Sequence, residues 1–98
     1  MFARVSTYQG ETERLLEGFG RTTDPLARLE GFERAYFLVA TTGRQAMSIT
    51  LWDSEAAMAA SAEWANRARE HAAHDSGATV ESVGTYEVAL SPERRAVR

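Results

Sequence analysis

The sequence predicts an α+β domain, one four-stranded antiparallel sheet with helices on a single face. Three observations carry this. Phe2–Tyr8 and Gln45–Trp52 alternate apolar and polar residues with the two-residue period of a strand. A long alanine-rich stretch, Glu55 to about Ala73, repeats its apolar residues at helical spacing. With the segments between them, the order becomes β-α-β-β-α-β, the split βαβ or ferredoxin-like arrangement.

The elements follow in chain order. Phe2 to Tyr8 is the first strand, closed by Gly10. Glu11 to Gly20 is a helix with acids in its first turn and Leu15, Leu16 and Phe19 on one face. Asp24-Pro25 restarts a short helical turn, with Asp24 as N-cap, Pro25 at the first helical position, and Leu26 and Leu29 as its buried side. Phe32 to Ala40 is the second strand, and "TTGRQ" is a tight hairpin in which Gly43 is free to take positive φ. Gln45 to Trp52 is the third strand. Asp53-Ser54-Glu55 supplies capping oxygens and an early acid to the long helix. "HDSGATV" is expected to be a loop, and the last strand falls within Thr79 to Leu90, in its later part "TYEVAL".

One feature conflicts with a lone sheet half covered by helices. Such strands should alternate, yet "AYFLVA" (Ala35–Ala40) is apolar throughout and "YEVAL" (Tyr86–Leu90) nearly so. Runs of this kind indicate burial on both faces. The helices cover one face, so a second copy of the chain is expected on the other, packed sheet against sheet as a homodimer.

At 98 residues the chain is one domain, 1–91, with a polar arginine-rich tail over 92–98. Its net charge of −3 offers no basic field for nucleic acid. It contains eleven arginines and no lysine, which excludes Schiff-base chemistry, and no cysteine, which excludes thiolate chemistry and disulfides. No stretch approaches the roughly 20 apolar residues that span a bilayer. A soluble, cytoplasmic protein without a membrane partner is the expectation.

In the long helix, Met58, Ala62, Ala65, Ala68 and Ala72 share one stripe, with Trp64 and His71 at its edge. This stripe is mostly methyl groups. Either the helix packs closely on the sheet, or the short side chains leave a cavity bordered by Trp52, Trp64 and Met58 where a flat ring could sit. Trp52, at the end of a strand, is then a wall or hydrogen-bond donor, or else a core plug. His71 is a candidate general acid or base beside such a pocket. His71 and His74 have the spacing of two metal ligands but lack a third, so no metal site is expected. Tyr8, Tyr36 and Tyr86 are strand phenols that could reach a ligand, with Tyr36 the candidate. Arg4 and Arg34 could each bind an anionic group or snorkel from a sheet edge, and snorkelling is the expectation.

The segment "LEGFERAYFLVATTGRQAMSITLWDSEAAMAAS" resembles the central part of the antibiotic-biosynthesis monooxygenase domains, and the similarity extends over nearly the whole chain. It rests on Gly31-Phe32 entering the second strand, the "TGR" hairpin, and "LWDSEAA" entering the long helix. The resemblance implies a dimeric α+β barrel, with two sheets facing each other and helices outside, and a pocket between helices and sheet. It also implies a cofactor-independent monooxygenase acting on a small planar aromatic, polyketide- or quinol-like; other members degrade haem. Trp52 matches the strand-end tryptophan used in both branches. The haem branch has an Asn on the first strand and a His on the second helix; here those places hold Ser6 or Thr7 and Ala62. The polyketide branch has an Asn four before the tryptophan and a Tyr six after it; these are Ser48 and Met58 here. The candidate site is therefore Trp52 and His71 as catalytic residues, with Ser48, Met58, Trp64 and Tyr36 binding substrate and no cofactor. The alternative is a non-catalytic homodimer of the same fold that binds a small ligand or serves as a scaffold.

Overall fold

A computed structural model describes residues 1–95. Its elements are β1 (Phe2–Gln9), α1 (Thr12–Gly20), α2 (Thr23–Ala27), β2 (Phe32–Val39), β3 (Gln45–Trp52), α3 (Glu55–Ala60), α4 (Ala62–Ser76) and β4 (Thr79–Glu87). The strands form one antiparallel sheet in the order β2-β3-β1-β4. The ferredoxin-like α+β fold is as the sequence predicts, and β3 has the expected bounds.

Four local expectations are corrected. The short turn α2 starts one residue before Asp24: Thr22 is its N-cap and makes no side-chain cap, while Pro25 lies third in the helix. The long helix is two helices that meet at Ser61. There the Ser61 hydroxyl donates to the Met58 carbonyl at 2.7 Å, and the Arg4 guanidinium donates to both Ser61 Oγ (3.0 Å) and the Met58 carbonyl (2.7 Å). Side-chain groups inserted into the backbone ladder bend a helix in this way. The expected loop "HDSGATV" shrinks to Gly77 and Ala78, because α4 continues to Ser76 and closes on Gly77 in the left-handed conformation (φ 72), while β4 begins at Thr79. Finally, β4 uses the early part of its segment, so Val88–Leu90 lie beyond the strand; the Val88 N–H still donates to the Met1 carbonyl at 2.9 Å. Of the expected tail, residues 96–98 lie outside the described residues.

Register assigns the two faces. Phe2, Arg4, Ser6 and Tyr8 of β1 pair with Trp52, Thr50, Ser48 and Ala46 of β3, and all eight face the helices. This inner floor is apolar at both ends and polar across its middle. Around one end Tyr8, Leu15, Phe19, Ala46 and Ala72 form one core cluster, and around the other Leu26, Trp52 and Met58 form a second. Gly18 lets α1 lie directly on α4, since a Cβ there would stand 3.3 Å from Ala72 Cα.

The outer face is the more apolar of the two. Val5, Ile49 and Tyr36 lie in one row across it, and Thr7, Met47 and Leu38 in the next. In the single chain Tyr36 is 44 % exposed, Leu38 46 % and Tyr86 59 %. The apolar run of β2 therefore alternates between the helices (Ala35, Phe37) and this uncovered face (Tyr36, Leu38).

Candidate functional site

Between α4 and the middle of the inner floor lies a small cavity of about 40 Å³. Arg4, Ser6, Tyr8, Ser48, Thr50 and Trp52 form its strand side; Phe19, Leu26 and Phe37 close its ends, and Ala65, Ala68 and Ala72 form its roof. The alanine stripe thus brings the helix close, and aromatic residues of α1 and the sheet fill most of the space. Phe19 stacks on Phe37 with centroids 4.8 Å apart and meets Tyr8 edge-on at 5.1 Å.

Each polar group of the floor has a local partner. Trp52 is fully buried, and its indole N–H donates to Thr50 Oγ1 at 3.0 Å. Phe32 packs edge-on against it at 5.6 Å. Tyr8 Oη lies 3.4 Å from Ser48 Oγ. Burial pushes the Tyr8 phenol above its ordinary value, against smaller lowering contributions from Ser48, Arg69 and Ser6, so at neutral pH it keeps its proton, and either hydroxyl of the pair can donate. The Arg4 guanidinium stands 6.0 Å from the Trp52 ring centroid. Arg4 is only 6 % exposed. It does not snorkel: its place in β1 points it inward, and the end of α3 receives its donors. Burial, and secondarily the Arg69 charge, holds it below the ordinary arginine range.

The candidate residues separate into four places. Trp52 and Ser48 line the cavity together. Met58 is buried in the core cluster beside Trp52 and borders a second space, a groove of about 470 Å³ between α3, α4 and β4 that also reaches Arg4 and Arg69. Trp64 and His71 line neither of these. They border an outer groove of about 270 Å³ between α1, α2 and α4, with Arg21 and Asp75. The reason is angular: on α4 the alanines take the sheet-facing side, which leaves both larger side chains at its flank. Tyr36 lies on the opposite face of the sheet, where its hydroxyl accepts a hydrogen bond from Arg34 at 3.0 Å. His74 is exposed, 3.5 Å from Asp75. Among the described residues no group of three or more His, Asp or Glu is placed to hold a metal, and no helix is long and apolar enough to cross a membrane.

Sequence reasoning named Arg4, Ser6 and Tyr8 without choosing them for the site, and did not single out Thr50. The signal was present: all share strand parity with Phe2 or Trp52, which the helices bury.

Neither a family profile nor a curated protein sequence matches the chain. Solved structures do. SnoaB, a cofactor-independent oxygenase from Streptomyces nogalater, is 19% identical and superposes with a TM-score of 0.75 over 94% of this chain and 97% of that one. The monooxygenase ActVA-Orf6 of Streptomyces coelicolor, solved with the ligand nanaomycin D, is 20% identical with a TM-score of 0.63 over 94% and 92%. A dimeric ferredoxin-like protein from an uncultured marine organism is 17% identical with a TM-score of 0.57 over 97% and 93%. The chain has the fold of the antibiotic-biosynthesis monooxygenase structures, over almost the full length of each.

Proposed function

We propose that this protein is a homodimeric, cofactor-independent monooxygenase acting on a small planar aromatic, polyketide- or quinol-like, substrate. The observation that carries the reading is a polar strip, Arg4, Ser6, Ser48 and Thr50, laid through the middle of an otherwise apolar core and facing a cavity walled by Trp52. A core built for stability alone would be apolar there, since buried polar groups contribute little net stability even when paired. Polar atoms converging on a concave, mostly apolar space are the ordinary form of a small-molecule site. The same fold in SnoaB, an oxygenase described as cofactor-independent, supports assigning that chemistry.

The chemistry asks little of the protein. The substrate supplies the electrons to dioxygen, and the site orients it and excludes water. Trp52 would flank the ring, and Tyr8 and Ser48 would donate to its oxygens. His71 and Trp64 line the outer groove and would act only on a ligand that extends there.

Size sets a condition. A benzene ring needs roughly the 150 Å³ of an engineered ring-sized cavity, and this cavity has about 40 Å³. A ring enters when the wall at Arg69 moves. Arg69 borders both the cavity and the 470 Å³ groove, and its side-chain tether is a hydrogen bond to Asn66 Oδ1 at 2.8 Å in an exposed position. Arg4 and Arg69 are the two residues that border both spaces, so a displaced Arg69 would open the cavity toward the groove.

The homodimer reading rests on the outer face, where Tyr36, Leu38 and Tyr86 stand exposed beside Ile49 and Leu51. An apolar sheet face of this kind marks an interaction surface.

The test is oxygen uptake by the purified protein with a panel of aromatic hydroquinones. Trp52→Phe, which keeps a buried ring but loses the indole, is expected to reduce uptake at least tenfold. Equal uptake by the two proteins, at or near the rate without protein, would instead favour the non-catalytic homodimer, a reading that the small volume of the cavity also supports.

A further inference from the structure

We propose that the site takes its ligand as an anion, with a phenolate or enolate oxygen held between Arg4 and Arg69. The inference rests on the cavity being the ligand site, and it specifies the charge state that the site selects.

Arg4 and Arg69 come from different elements, β1 and α4, yet border the same two spaces, the small cavity and the groove beside it. Among the described residues no acid lines the cavity. Among the described residues neither guanidinium forms an ion pair; the ion pairs involve Arg14, Arg21 and His74 instead. A buried cation is ordinarily paired with an acid. The partners of Arg4 are instead neutral oxygens, Ser61 Oγ and the Met58 carbonyl, and Arg69 holds only the Asn66 amide oxygen.

The charges around this point are few. Arg4 on β1 and Arg69 on α4 are cations. Tyr8 on β1 is held neutral by burial. Glu55 on α3 is the one acid bordering the adjoining groove; it is exposed and pairs with neither arginine among the described residues. Two like charges therefore share a wall with no acid between them, an arrangement that costs free energy in the empty site. An anionic oxygen at the cavity mouth removes that cost and gains charge-assisted hydrogen bonds from both guanidinium groups. A neutral ligand of the same shape gains neither.

The same feature would serve the proposed reaction. A phenol or activated methylene reduces dioxygen readily only after losing a proton, and a site that binds the conjugate base lowers the ligand's own pKa. The proton leaves to solvent on binding, so no protein base is required at the cavity.

The test uses 4-nitrophenol, whose phenolate absorbs in the visible and whose nitro group prevents reaction with oxygen. Its absorbance is titrated against pH with and without excess full-length protein, and its affinity is compared with that of 4-nitrotoluene. The bound phenol is expected to ionise about one pH unit lower than the free one, equivalent to an approximately tenfold preference for the anion. Arg69→Met should remove most of that shift, and Arg69→Lys should restore part of it. Arg69 lies on an accessible flank of α4, so these variants should keep the wild-type circular dichroism. An unshifted or raised midpoint, equal affinity for 4-nitrotoluene, no binding of the phenolate, or no effect of Arg69→Met would each overturn the proposal. Oxygen uptake with a hydroquinone, measured on the same preparations, separates this from the enzymatic reading. Uptake without anion preference removes the anion assignment alone; anion preference without uptake removes the oxygenase alone.

Discussion

Replacing Gly31 with alanine should cost this domain much of its stability, and the structure separates the reasons. Gly31 precedes β2 with φ at +79, and its carbonyl accepts the Asp53 N–H at 2.9 Å, next to Trp52. A side chain in the left-handed region costs about 1–2 kcal/mol. The added Cβ would also fall inside the contact radius of Ala57 Cβ and stand 2.7 Å from Asp53 Oδ1. The carboxylate can swing away cheaply. Ala57 cannot, because it belongs to α3, whose first turn is fixed by the Ser54 cap on the Ala57 N–H at 3.1 Å. Overpacking of this kind adds about 1–3 kcal/mol. The expected total is therefore about 2–5 kcal/mol. Gly43 supplies the control: its φ is +88, but a Cβ there meets nothing within 4 Å, so Gly43→Ala carries only the conformational part. Urea unfolding followed by circular dichroism, at one protein concentration for all three proteins, gives the two losses from the midpoints at constant slope. If Gly31→Ala loses no more than Gly43→Ala, the approach of α3 to the start of β2 is not as close as described, and the frame holding Trp52 is looser than claimed.

Two further outcomes test other parts of the argument. Because burial raises the Tyr8 phenol, the folded state holds that proton more tightly than the unfolded chain. Stability should be fully present below the ordinary tyrosine value of about 10 and decline as pH rises through the folded value, and Tyr8→Phe should lack that part of the alkaline decline; identical pH profiles for the two proteins would contradict it. On the outer face, Ile49 sits mid-strand between Val5 and Tyr36. Ile49→Glu should convert a sedimenting dimer to a single chain with unchanged circular dichroism, whereas a wild type that already sediments as a single chain at tens of micromolar would remove the dimer.

The fold was legible because its signals are short-range. The alternation of Gln45–Trp52, the "TTGRQ" turn and the Asp53-Ser54-Glu55 helix start all act within a few residues, and the Ser54 hydroxyl does accept from the Ala57 N–H. The misread boundaries depend on distant partners. Nothing within Glu55–Ala73 announces the break at Ser61, whose cause includes a guanidinium 57 positions earlier in the chain. The end of β4 is likewise set by its antiparallel partner: β1 begins at Phe2, and Phe2 pairs with Glu87, so the ladder runs out there however apolar the following residues are.

The lining of the candidate site was legible in half. Trp52 and Ser48 are inward on β3, and counting by two from the tryptophan finds both. The same count on β1, started from Phe2 or Tyr8, finds Arg4 and Ser6, but hydrophobicity argues against it, because Ala3 and Val5 look more like core than an arginine does. That inference fails when both faces of a sheet are buried or due to be buried. On the proposed reading the face with more apolar residues meets a second chain, and the face with polar residues surrounds a small molecule. In this protein the outer rows, Val5–Ile49–Tyr36 and Thr7–Met47–Leu38, are the more hydrophobic, and the inner rows carry Arg4 and Ser6. The distribution runs opposite to that of a monomer with a solvated outer face. An inward arginine without an acidic partner, under a roof of alanines, is the strongest indication in this chain that the inner face is built for more than packing.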